Sequence, residues 1–293
     1  MESFDRIAKN VYLLKVPFGP VWTGVVLLRG EKNILVDSGA TAQDVDKVIL
    51  PALEQLGLTL GDIHYLVNTH SHGDHIGGHA RLRQLGSFQV VTFAGAKSKL
   101  EDPVPYAIAT RTRFPANSPA PQSSLQGVRV DQILEDGEIL ADRLQLIHTP
   151  GHDDDCVCWL DIPTGTLITG DSLQANGTIC QGVGFYKSLP DYLATLDKLA
   201  ALPIKNILCG HDYEGIGYLV EGQTNVLAAL RYCRECVALY DSFIRDRKTQ
   251  NPVQIAGELI KTHGCGMPEH LFMALYTVTQ HLAQQEEKER NYA

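Results

Sequence analysis

The residues of this chain best suited to chemistry lie in Thr69-His70-Ser71-His72-Gly73-Asp74-His75-Ile76-Gly77-Gly78, where three histidines and an aspartate fall within six positions. Neutral imidazole is the commonest metal ligand, and a carboxylate beside it suits a hard or borderline cation. Ligand-type side chains at alternating positions of one loop are hard to account for without a metal. Further candidates follow along the chain. Leu144-Gln145-Leu146-Ile147-His148 runs into Thr149-Pro150-Gly151-His152, Thr166-Leu167-Ile168-Thr169 into Gly170-Asp171-Ser172, and Asn206-Ile207-Leu208-Cys209 into Gly210-His211-Asp212. Each apolar, strand-like run is followed by a glycine that lets the backbone turn just before the candidate ligand. A single His or Asp after a strand is more often a turn or cap residue. Four such places in order point to a metal centre.

The elements needed to position these loops are also legible. Residues 63–67 read as a buried strand ahead of the histidine loop, and 76–85 as a helix after it. Residues 11–16 and 22–28 read as strands joined by the turn Pro17-Phe18-Gly19-Pro20, and 33–36 as a third strand ending in Asp37-Ser38-Gly39. An amphipathic helix is expected over 43–56, with Val45, Val48, Ile49, Leu53 and Leu56 on one face. A strand is expected at 89–93 and a helix at 189–202. Residues 101–127 are rich in Pro, Ala and Ser with little periodicity, and read as an insertion or lid over the site. From residue 222 the pattern turns helical, over 224–247, 252–263 and 268–288. The predicted organisation is a catalytic domain at 1–221 and a helical appendage at 222–293.

The order H-x-H-x-D-H at 70–75, then His152, Asp171 and His211, resembles that of the metallo-β-lactamase-fold superfamily. The resemblance implies an α/β fold, an αββα sandwich of two mixed β-sheets flanked by helices with metals at one end of the sheets. It implies that His70, His72 and His152 hold one ion, that Asp74, His75 and His211 hold a second, and that Asp171 bridges them. Two divalent ions roughly 3.5–4 Å apart can share a hydroxide that serves as nucleophile at neutral pH. Zinc is the first expectation for both ions, with iron or manganese as alternatives. Asp74 and Asp171 thus count as catalytic. Tyr186, in Gly184-Phe185-Tyr186, is a candidate hydrogen-bond donor to a substrate carbonyl, against a packing role. Asp37 falls where family members place a carboxylate that orients a ligand histidine, and it reads equally as a turn former.

One stretch departs from the family pattern. After His152 a small or hydroxyl residue and a glycine are usual, whereas here Asp153-Asp154-Asp155 follow. At least two of the three are expected to form a solvated turn. The tail resembles the small winged-helix-type appendage of the β-lactamase-like protein 2 branch, with a packing or dimer-forming helical cap as the other reading.

Composition limits the function. A net charge of −9 over 293 residues makes the whole surface no trap for nucleic acid. No apolar run is long enough to span a bilayer, and the first residues lack the apolar stretch of a signal peptide. Seven cysteines, an odd number, do not suggest a disulfide framework, and the expected setting is cytoplasmic. Cys233 and Cys236 lie on a helical stretch and are read as packing residues, and Cys180 as one that lines the site. The expected activity is metal-dependent hydrolysis of a small ester, thioester or lactone, as in the glyoxalase II and lactonase groups. The alternatives are a phosphodiesterase or ribonuclease drawing on Arg231, Arg234, Arg245, Arg247 and Lys248, and a non-hydrolytic metal-binding or oxygenase relative. The expected partner is a small-molecule substrate and not a membrane or nucleic acid, with a homodimer as a further expectation.

Overall fold

Alternation along the strands builds the sandwich. In β2 (Val11–Phe18), Val11 and Leu13 face one core while Leu14 and Val16 face another; in β3 (Val21–Leu28), Val26 and Leu28 share the first and Val25 and Leu27 the second. A strand buried on both faces in this way needs cover on each side. The computed structural model, which describes residues 2–292, supplies it.

The first sheet adds β1 (Asp5–Ala8), β4 (Asn33–Val36), β5 (Ile63–Val67), β6 (Gln89–Phe93) and β7 (Gln132–Leu134), in the order β1-β2-β3-β4-β5-β6-β7. Its first four strands are antiparallel, and β4 to β7 are joined in parallel. The second sheet runs β13-β12-β11-β10-β9-β8, from β8 (Ile139–Leu140), β9 (Leu144–His148), β10 (Val157–Asp161), β11 (Thr166–Gly170), β12 (Asn206–Tyr213) and β13 (Gly217–Glu221). Only β11 and β12 pair in parallel there. Both sheets are therefore mixed, as expected. The inter-sheet core joins Val11, Leu13, Val26 and Val67 to Leu146, Trp159, Ile168 and Leu208. Outside the first sheet lie Val45, Ile49, Leu53 and Leu82 from helices.

The expected helix at 43–56 is present but is not uniform. Helical turns over 42–55 include a π-helical stretch at Val45–Ile49, followed by Leu50–Gln55. Pro51 has no N–H to give to the preceding turn, and the chain accommodates it by widening that turn. The 101–127 stretch is more ordered than its composition suggested. It contains the helix Pro103–Thr112, which begins on a proline where the missing donor costs nothing.

The tail comprises three helices, Gln223–Arg245, Pro252–His263 and Phe272–Tyr292, with no strand after Glu221 among the described residues. The last helix begins at Phe272 rather than 268, and residues 268–271 precede it as irregular chain. The tail does not stand apart. Val226, Leu230, Cys233, Tyr240, Leu259, Leu275 and Val278 form one core with Leu196 and Leu199 of the helix Leu189–Ala200 and with Ile207 and Cys209 of β12 in the second sheet. Cys233 and Cys236 are buried packing residues there, and all seven cysteines are unpaired. No described helix is long and apolar enough to cross a membrane.

Candidate metal centre

Six of the seven candidate ligands sit just beyond the C-terminal end of a strand: the four of the 70–75 loop after β5, His152 after β9 and Asp171 after β11. His211 lies within β12, which continues to Tyr213 through an irregularity in its pairing with β13, so the expected turn at Gly210 is a distortion inside a strand. Gly170 takes φ +49 against the Thr69 side chain, where a Cβ would collide, and so delivers Asp171 inward.

The side chains converge in two groups. His70, His72, His152 and Asp171 offer ligand atoms within 4.8 Å of one another, as do Asp74, His75 and His211. Asp171 lies between them. Its Oδ2 is 3.6 Å from His152 Nε2 and 4.0 Å from His70 Nε2, while its Oδ1 is 3.4 Å from Nε2 of both His75 and His211. One carboxylate thus faces each group with a different oxygen.

Three of the imidazoles are held by the ring nitrogen that points away from the cluster. His75 Nδ1 meets Asp37 Oδ2 at 2.8 Å, His152 Nδ1 meets the Phe185 carbonyl at 2.8 Å, and His211 Nδ1 meets the Trp22 carbonyl at 2.6 Å. Such bonds fix ring orientation and tautomer and leave Nε2 free for a metal. Asp37 proves to be both turn and orienter: it adopts φ 62, and it also accepts from Thr69 N and Oγ1 at 2.8 Å.

The donor set fits a cation. Nε2 of His70 and of His75 and Oδ1 of Asp171 are buried without a hydrogen-bond partner. Native proteins rarely leave buried polar atoms unpaired, so these orphans call for an ion. The electrostatics agree. Burial, then His75 and His72, pushes His70 well below its usual pKa, and burial with His72 lowers His152 to about 3, so both are neutral and able to ligate. Burial would also lower His75 and His211. The carboxylates of Asp74 and Asp171 overcome it, raising His75 well above its usual value and His211 to about 10. The acids draw positive charge to this spot, as they would draw a divalent ion.

The acid triplet corrects the expectation of a mainly solvated turn. Asp153 and Asp155 are only 3% and 1% exposed, and Asp154 alone projects into solvent. Asp153 Oδ2 lies 2.5 Å from Lys187 Nζ and accepts from Tyr106, while Asp155 Oδ2 accepts from Ser71 at 2.5 Å and its Oδ1 meets Lys99 at 3.1 Å. Asp153 Oδ2 also lies 3.2 Å from His72 Nε2, whose Nδ1 faces His152 at 3.0 Å. Burial alone would raise the Asp153 pKa, but Lys187, His72 and Lys99 hold it well below the carboxylate range. The acids were buried because two lysines and a tyrosine from distant segments reach them, which no local pattern reveals. Asp153→Asn is expected to weaken metal affinity by roughly 10–100-fold, the usual cost of losing an outer partner. Competition against a chelating dye reads this directly, and unchanged affinity would remove Asp153 from that role.

Tyr186 is a second correction. Its hydroxyl is buried against His281 Nε2 at 2.7 Å and its ring stacks on Tyr192, so it cannot reach a substrate carbonyl. A cavity of about 450 Å³ opens over the ligands. Phe18 and Val21 from the β2–β3 turn, Tyr106 and Arg111 from Pro103–Thr112, and Phe272 and Met273 from the tail contribute to its walls, and Cys180 lines it as expected. Arg111 was missed from the sequence, where an arginine in a stretch with little periodicity carries no signal.

Comparison with known proteins agrees with this geometry. The family model of the metallo-beta-lactamase superfamily matches residues 16–211. A hydroxyacylglutathione hydrolase of Methylococcus capsulatus is 29% identical over 180 residues, covering 60% of this chain and 59% of that protein. A beta-lactamase-like protein 2 homolog of Drosophila melanogaster is 26% identical over 265 residues, 88% and 80% of the two chains. The matches to the first three curated relatives span only 54–59% of those proteins' lengths. A metallo-beta-lactamase family protein from Thermus thermophilus superposes with a TM-score of 0.76 at 21% identity, covering 97% of this chain and 95% of its own, a likeness of fold.

Proposed function

The chain belongs to the metallo-beta-lactamase superfamily, and from that premise we propose that it is a hydrolase with a two-metal centre acting on a small ester, thioester or lactone. The observation that carries the two-metal reading is Asp171, which turns one oxygen to each histidine group. His70, His72 and His152 would hold one ion and Asp74, His75 and His211 the other, with zinc first and iron or manganese as alternatives. Divalent ions held in this way lower the pKa of a coordinated water to about 7 and polarise a substrate oxygen. The protein's own residues do the rest. Asp37, Phe185 and Trp22 fix the imidazoles, and the cavity walls hold the substrate and screen it from bulk water.

The names of the hydroxyacylglutathione hydrolases among its relatives support a thioester, and so does the cavity, which is large enough for a small acyl compound. Phosphodiester or RNA cleavage finds less support. Arg234 pairs with Asp197, Arg245 with Asp241, Arg247 with Glu258 and Lys248 with Glu289, so most of the basic tail residues are already matched to acids.

Elemental analysis of the purified protein should find about two transition metals per chain, in keeping with a shared-bridge site. No bound metal, and no uptake when zinc is added, would remove the metal reading entirely. With the metals in place, a panel of ester, thioester, lactone and phosphodiester substrates should show turnover on the acyl compounds. Turnover confined to the phosphodiester would overturn the acyl assignment.

A further inference from the structure

Among the residues lining the cavity over the ligand cluster, Arg111 is the only arginine or lysine. Its surroundings are unusual. Lys99 and Lys187, the neighbouring cations, are each tied to Asp153. Arg111 makes no hydrogen bond and no ion pair among the described residues, and its Nη1 is buried without a partner. The guanidinium carbon lies 4.0 Å from the centre of the Phe272 ring, so the tail fixes the side chain in place from one side. A guanidinium has five donors in a planar fork, and leaving the buried Nη1 unpaired is costly. Burial lowers its pKa from the ordinary value, with Asp74 and Tyr276 acting against that shift, so the group remains a cation facing the cavity. The remaining walls join apolar Phe18, Val21, Phe185 and Met273 to polar Gln122, Gln181, Glu269 and His270, with Arg111 the one arginine or lysine among them.

We propose that Arg111 is an anion subsite, and that the substrate is an ester, thioester or lactone whose apolar body carries a free carboxylate. This rests on the hydrolase reading above. A single cation matches one negative charge, and the planar fork matches a carboxylate in two parallel hydrogen bonds. Arg111 would then orient the substrate with its scissile carbonyl toward the histidine cluster. It positions and selects, and takes no part in bond making.

The test uses the metal-loaded full chain. The 4-nitrophenyl monoester of adipic acid, with its carboxylate free, is compared with the methyl-capped diester. The free acid should be preferred by at least about tenfold in kcat/KM, chiefly through KM, the size expected of a hydrogen-bonded ion pair. Arg111→Met should bring that ratio close to one, and Arg111→Lys should keep part of it. An unchanged ratio in Arg111→Met would overturn the subsite, and a phosphonate analogue favoured over the carboxylate would overturn the choice of anion. A binding measurement separates this proposal from the hydrolase reading. By calorimetry, 4-phenylbutyrate should bind the wild type better than 4-phenylbutyramide does, and Arg111→Met should erase the difference. A carboxylate held only by the metals would bind both proteins alike and sink the proposal. If no ester is cleaved but this difference appears and depends on Arg111, the subsite stands and the hydrolase reading falls.

Discussion

Asp171→Ala is expected to reduce turnover to near background while the far-UV circular dichroism stays that of the native chain. Asp171 is the one carboxylate whose oxygens face both histidine groups. Burial would raise its pKa, but His211 and His75 hold it well below the usual range, so it is an anion ready to bridge. Losing it would leave His70 and His152 without a carboxylate beside them and the Nε2 atoms of His75 and His211 with Asp74 alone. The loss should go well beyond the roughly 10–100-fold of an outer partner such as Asp37 or Asp153. The fold should survive because the backbone here is set by Gly170 and by the Asp171 carbonyl, which accepts from Gln174, and alanine keeps both. Metal content should fall together with activity. Turnover comparable to wild type would show that Asp171 does not bridge.

The ligand loops were legible because each lies close to the apolar strand that carries it, so spacing and composition reported the same thing. The two mixed sheets were implied by resemblance, and the strands 11–16, 22–28, 33–36 and 63–67 by alternation or by a short apolar run. What could not be read was whatever depends on distant partners. Asp153 and Asp155 looked like solvent-facing acids because Lys99, Lys187 and Tyr106 come from other segments. The orienting carbonyls of Trp22 and Phe185 carry no side-chain signal at all. Tyr186 sits one residue from Phe185, which does line the cavity, yet the alternation of the chain turns its hydroxyl to His281 instead. The helix Pro103–Thr112 was hidden because two prolines at its start read as breakers, although the first turn is where a helix tolerates them.

Truncation after Gly222 is expected to yield an insoluble or strongly destabilised chain. The helix Gln223–Arg245 buries Val226, Leu230, Cys233, Val237, Tyr240 and Phe243, and the last helix adds Leu275 and Val278 to the same core. Removing the tail would return Leu196, Leu199 and the outer face of the second sheet to water. Each large apolar side chain loses about 1.5–3 kcal/mol on exposure. A handful of them therefore matches the whole 5–15 kcal/mol by which a domain of ordinary stability is folded. The cavity would also lose Phe272 and Met273, and with them the contact that holds Arg111. The tail is thus part of the packed core and of the cavity wall at once. A free nucleic-acid-binding module would behave in the opposite way. The truncated chain would stay soluble with an unchanged melting temperature, and the full chain would bind RNA with an affinity falling steeply as salt rises. The pairing of Arg234, Arg245, Arg247 and Lys248 with acids argues against that outcome, since cations already matched within the protein release few counterions.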